Sequence, residues 1–199
     1  MAIDNFDEAA DYIRYGLDYA AYLVCREDPT TVHIASRQSP VVESLLRRLP
    51  RHVATSVADA EVAGLVAARS GRTILAGTGE GAEAVIVPFA SEEWGSVPQA
   101  RLTVVVEENA CSYKSILMPG RLRVTAGQTL SWLARRSTVT ERVGLLGPDF
   151  IALWALVRLV GHRRSDWHFR LRDAAMQRIF RRDLLWRYSY VVVLAGRAE

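Results

Sequence analysis

Hydrophobic residues along the chain follow two rhythms. The first is helical. Phe6, Ala9, Ala10, Ile13, Leu17, Ala20, Ala21 and Val24 recur at three- and four-residue spacing, which predicts an amphipathic helix over 4–25 with Asp4 placed to cap it. Asp28-Pro29 ends it, because the residue before a proline is pushed out of the helical region. The second rhythm is a series of short, largely unbroken apolar runs at 31–35, 52–56, 72–76, 84–88 and 102–106. Runs of this kind, without polar alternation, are the pattern of strands covered on both faces. Two helical stretches separate the first three runs. One covers 39–49, with Ser39 as its cap and Pro40 in its first position; the other covers 59–69 and ends at Ser70-Gly71. Strands separated by helices predict βαβ units and a parallel sheet.

The last third changes character. Thr125 caps a helix reaching about Arg136, and a sixth strand is expected over 139–146. A strongly apolar helix over 148–160 and a basic amphipathic helix over 166–182 then precede a terminal strand from Tyr188. No repeat, low-complexity stretch or linker interrupts the chain, which predicts one domain over 1–199 with a helical insertion at 148–184.

Composition narrows the picture. Half of the 199 residues are apolar and 24% are charged, enough to build a core and unlike a disordered chain. The net charge is only +3, and Asp166, Asp173 and Asp183 offset part of the arginine-rich segment, so a nucleic-acid partner is disfavoured. Cys25 and Cys111 form no CxxC pair, and the four histidines have no metal-ligand spacing. GxSxG, HExxH and P-loop motifs are absent, which removes the common hydrolase signatures. The first eight residues are acidic rather than basic-then-apolar, and the longest apolar run is 150–160, about half of a membrane span. A cytoplasmic protein is expected.

The order of elements in the tail is distinctive. A fifth strand leads into Glu107-Glu108-Asn109, followed by a helix over Thr125–Leu133, a sixth strand, a helical insertion and a last strand of aromatic then valine residues. This resembles the C-terminal half of class I S-adenosylmethionine-dependent methyltransferases. Strand centres near 32, 53, 73, 85, 103, 139 and 190 match that family's seven-strand count over roughly residues 30–199. The resemblance implies an α/β fold: a Rossmann-like, mostly parallel seven-stranded sheet, its last strand antiparallel, with helices on both faces. It also implies S-adenosylmethionine as cofactor, held at the carboxyl ends of the strands. The corresponding positions are Ala35, Ser36 and Arg37 after strand one, Ser56 and Asp59 after strand two, and Phe89 after strand four. The family follows strand one with a glycine-rich turn, because the backbone must approach the cofactor closely. Here that turn is Ala35-Ser36-Arg37-Gln38-Ser39. Gly77 and Gly79 offer a second place for a cofactor loop, although residues 82–84 lead on into a strand instead of a helix.

Ligands of open α/β sheets sit at the carboxyl ends of the strands. The densest polar group there is Glu107, Glu108 and Asn109, with Tyr113 and Lys114 just beyond. A carboxylate in that place suits a general base acting on a hydroxyl or amine acceptor. Two readings follow: a methyltransferase on a small-molecule or lipid-like acceptor, or a catalytically inactive relative kept for binding or assembly. A nucleotide-dependent enzyme is a third, and only 77–81 could cradle its phosphates. The apolar and arginine-rich segment 150–187 is placed to shape an acceptor pocket or to meet a membrane surface or protein partner. The helix over 4–25 either covers the mouth of the site or pairs two copies of the chain.

Overall fold

A computed structural model describes residues 4–89, 94–112, 124–145, 147, 179–180 and 184–198. In chain order the elements are α1 (Asp4–Arg26), β1 (Thr31–Ile34), α2 (Ser39–Leu46), β2 (Ala54–Val57), α3 (Ala60–Ser70), β3 (Ile74–Ala76), β4 (Ala84–Pro88), β5 (Leu102–Glu108), α4 (Ala126–Ala134), β6 (Thr138–Leu145), β7 (Ile179–Phe180), a 3₁₀ turn Leu184–Tyr188 and β8 (Val191–Arg197). The strands form one sheet in the order β3-β2-β1-β4-β5-β8-β6-β7. Counting only the seven expected strands, the order is 3-2-1-4-5-7-6. β1 to β5 pair in parallel, and β8 runs antiparallel between β5 and β6. The expected Rossmann-like sheet is therefore present, with the two-residue β7 added at its far edge.

Chain direction explains the layers. From β1 the chain steps outward through α2, β2, α3 and β3, then returns to the other side of β1 with β4. Right-handed crossovers put helices that step the same way on the same face. Accordingly α2 and α3, joined by α1, cover one face through Leu17, Val24, Val42, Leu45 and Val66 against Ile34, Ile86, Val104 and Val106. α4 covers the other face through Trp132 and Leu133 against Val85, Val105, Val192 and Leu194. Side chains of this kind stabilise a fold by about 1.5–3 kcal/mol each when fully buried. The middle of the sheet is the densest part: every residue of β4 is buried, as are 102–107 of β5 and 191–196 of β8.

α1 also reaches past the sheet. Gly16 sits where an added Cβ would lie 2.8 Å from Val191 and 3.0 Å from Val106, near the carboxyl end of β5. The helix from Asp4 to Gly16, roughly 18 Å long at 1.5 Å per residue, thus leads past that end. Its C-terminal part packs as a core helix, with Leu17, Ala20, Ala21 and Val24 buried.

Several sequence expectations need correction. β3 is not covered on both faces: Leu75 is 58% exposed and Ala76 is exposed too. β3 is the sheet edge, and the connection to β4 is a loop without a helix, so nothing broad enough lies over Leu75. The first half of β6 is likewise open. Ser39 is not the cap of α2 but its first residue; Gln38 takes the cap position without a side-chain hydrogen bond. Asp59 is the cap of α3, outside the helix. Ile179 and Phe180 pair with β6 instead of continuing a helix through 182, and the last strand starts at Val191, after a 3₁₀ turn that contains Tyr188. The expected helix over 148–160, and 166–178 of the next, lie outside the described residues. Thr125 caps α4 as the sequence suggests, and the structure adds Gln128, which completes a reciprocal capping box with it.

Candidate functional site

Strand order reverses between β1 and β4, the place where open α/β sheets form their ligand crevice. Ala35 keeps the sheet register one step beyond β1 by donating from its N–H to the Ile86 carbonyl at 2.9 Å. The chain then turns: the Ser36 N–H donates to the Ile34 carbonyl at 2.9 Å, and the Gln38 N–H donates to Ser36 Oγ at 3.2 Å. Ser36 is buried, while Arg37 and Gln38 are exposed. This turn delivers the N-terminus of α2 to the crevice, and its positive end favours anionic groups.

Across the crevice, Phe89 follows directly on the end of β4. Its N–H donates to the Val106 carbonyl at 2.8 Å, and its φ is +53°. A bulky residue in the left-handed region costs of order 1–3 kcal/mol and persists only where the surroundings hold it. The strain therefore falls at the switch point itself. Asp59 lies beyond β2, where its Oδ1 accepts from the N–H groups of Glu61 (2.9 Å) and Val62 (3.0 Å), leaving Oδ2 outside the cap.

Ser56 and the glycines belong to a different arrangement. Ser56 is inside β2 rather than at its end, and pairs in register with His33. Its Oγ lies 3.0 Å from His33 Nδ1. Gly77 donates to the Val57 carbonyl at 3.0 Å and starts the crossing from β3 to β4. Gly79, at φ +75°, lies on the imidazole; a Cβ there would sit 2.2 Å from His33 Cγ. Gly79 thus closes over the His33 ring, while the other glycines of the run, Gly77 and Gly81, have open space where a Cβ would stand. Burial holds the His33 imidazole below its ordinary pKa, so it is neutral in the fold. An unfolded histidine titrates near 6.5. The stability from the neutral ring is present above that value and drains away as pH falls through it toward the lowered one. As pH falls below about 6.5 the chain is expected to lose stability at up to about 1.4 kcal/mol per pH unit from this group, until the lowered value is reached. His33→Gln should flatten the slope in urea unfolding; an unchanged slope would remove His33 as its source.

Glu107, Glu108 and Asn109 do not form one cluster. β5 runs through Glu108, paired with β8 at Val192 and Val191, so the two carboxylates point to opposite faces. Glu107 shares the α4 face with Val105 and is 5% exposed. Glu108 is half-buried on the α1 face, where the Tyr190 hydroxyl donates to it. Asn109 is fully buried and spends its whole amide on the backbone. Nδ2 donates to the carbonyls of Arg187 (2.6 Å) and Ser189 (2.9 Å), and Oδ1 accepts from the N–H groups of Cys111 and Ala126, each at 3.0 Å. It ties β5 to the start of α4 and the approach to β8. Tyr113 and Lys114 lie outside the described residues.

Nothing in the sequence pointed to Asn109 as a structural hub, because its partners are up to 80 positions away. Among the described residues no group of histidine, cysteine and carboxylate side chains could hold a metal ion, and no helix is long and apolar enough to cross a membrane.

No protein-family model matches the sequence, and no curated protein matches it. Solved structures do match in fold. The methyltransferase domain of bacterial CtHen1-C superposes with a TM-score of 0.52 at 9% identity, over 94% of this chain and 98% of that one. The fold is that of the class I S-adenosylmethionine-dependent methyltransferases. The plantazolicin methyltransferases BamL, in complex with a triazolic desmethylPZN analog and SAH, and BpumL, in complex with SAH, each give a TM-score of 0.50. Their identities are 10% and 8%, and each comparison covers 98% of this chain and 88% of the other. At such identities the methyltransferase fold is what is shared.

Proposed function

We propose that the chain is an S-adenosylmethionine-dependent methyltransferase acting on a small-molecule or lipid-like acceptor. The observation that carries this reading is the reversal of strand order between β1 and β4, with the N-terminus of α2 on one side and the strained Phe89 on the other. The BamL and BpumL structures with SAH support the choice of cofactor.

The residues present suit the chemistry of that cofactor. Ser36 and the backbone at the start of α2 would hold its amino-acid end, Asp59 Oδ2 its ribose hydroxyls, and Phe89 its apolar surface. Bound there, the cofactor supplies an electrophilic methyl group on sulfur. The chain's own work is to align an acceptor and exclude water, which suffices for large rate gains when geometry is held. Glu107, buried at the crevice end of β5, is the candidate base for an acceptor proton. The acceptor class is read from the apolar and arginine-rich composition of 150–187.

The second reading, an inactive binding relative, is favoured by side chains at 35–37 where the family uses glycine, and by the engagement of Asp59 Oδ1 in a cap. Calorimetric titration with S-adenosylmethionine and S-adenosylhomocysteine separates the two. The enzyme reading expects dissociation constants in the micromolar range, about −8 kcal/mol of binding. No heat up to millimolar ligand would leave the binding relative as the better account.

A further inference from the structure

At the end of the sheet opposite the crevice, the C-terminal turns of α2 and α3 enclose a cavity of about 500 Å³. Arg47, Arg51, Arg69 and Arg72 line it, and Glu43 is the carboxylate among its lining residues. Helix C-termini attract cations on their own account, so the first question is how many of these arginines that role absorbs.

Arg72 absorbs it almost entirely. Its Nη1 donates to the carbonyls of Leu46 (2.8 Å) and Leu49 (2.9 Å), and its Nη2 to those of Pro50 (2.8 Å) and Val53 (3.4 Å). Glu43 is taken up by Arg69 at 2.9 Å, with Arg47 further off at 3.9 Å. Arg51 has no ion-pair partner among the described residues, and neither Arg47 nor Arg51 has a hydrogen bond there to the helix-end carbonyls. Burial first, and then the charge of Arg51, push the Arg72 pKa down, which places Arg51 close enough to repel it. The cavity therefore holds an excess of positive charge that neither capping nor Glu43 accounts for.

We propose that this cavity binds the phosphate groups of a phosphorylated small molecule, with Arg47, Arg51 and the outer edge of Arg69 as its cations. Guanidinium forks match phosphate oxygens two at a time. The Ser70 hydroxyl adds a donor on the same wall, and Leu46 and Leu49 give the remainder of the molecule an apolar surface. The volume falls in the usual range for small-ligand sites. A duplex nucleic acid fits less well, because the arginines line a concavity and the chain's net charge is low. The inference does not rest on the methyltransferase reading, since the two sites lie at opposite ends of the strands.

The test titrates the full chain with inorganic diphosphate, ADP and a short DNA duplex at low salt. Arg51→Ala, Arg47→Ala and the double variant R47E/R51E are run beside it, with thermal unfolding to confirm that each still folds. Diphosphate or ADP should bind with a dissociation constant below roughly 1 mM, weakened about tenfold by each alanine and abolished by the double reversal. Equal affinity in the double variant, absence of binding by both phosphate probes, or arginine-dependent binding of the duplex alone would overturn it.

Discussion

Replacing Asn109 by aspartate is expected to cost the fold roughly 3–5 kcal/mol, the range for a buried charge without a partner. The reason is directional. Two carbonyls, from Arg187 and Ser189, point at Nδ2, and an oxygen in that place turns two hydrogen bonds into repulsions in a fully buried site. Domains are stable by about 5–15 kcal/mol, so the variant should sit near the threshold of folding. Protonating the new carboxyl gives it one donor for one carbonyl, and burial raises its pKa. The destabilisation should therefore be smallest in acid and grow as pH rises through that raised value. Asn109→Leu removes the charge but leaves two carbonyls and the N–H groups of Cys111 and Ala126 unpaired, at about 1–3 kcal/mol for each buried group left unsatisfied. Urea unfolding across pH 4–8 measures both variants. A loss below about 1 kcal/mol in each would mean that Asn109 is not the hub described.

Gly79→Val is the second large effect. Valine is β-branched and strongly disfavours the φ of +75° found there, and its Cβ would intrude on the His33 ring at 2.2 Å. Strain of 1–3 kcal/mol for the backbone and a similar amount for overpacking put the expected loss at about 3–5 kcal/mol. The two components separate in a double-mutant cycle. His33→Ala should rescue the steric part of Gly79→Val and leave the backbone part, giving a coupling of about 1–2 kcal/mol. Additive effects would show that the loop does not rest on the ring.

These two residues mark where the sequence stopped being legible. The strands of the sheet's centre were plain, because runs such as Leu102–Val106 have few ways to hide their side chains except between two helical layers. Thr125 announced α4, since a helix cap is a local device. The fate of Gly77–Gly81 was not local. What lies under such a run depends on a strand more than 40 positions away, and here His33 of that strand lies under Gly79. The separation of Glu107 from Glu108 depends on β8 extending β5 by two residues, a pairing across more than 80 positions. The arginine cavity is assembled in the same way, from Arg47 and Arg51 after α2 and Arg69 and Arg72 at the end of α3. Alternation within β5 would have been enough to split the two glutamates, had the strand been carried through to residue 108.

On the proposed reading, the reversal of strand order between β1 and β4 creates the place where this chain holds its ligand. A structure of the chain grown with S-adenosylhomocysteine tests it most directly. The ligand is expected against Ser36, Asp59 and Phe89, at the start of α2. A ligand bound elsewhere on the chain, or the same affinity after Ser36→Trp blocks that turn, would contradict it.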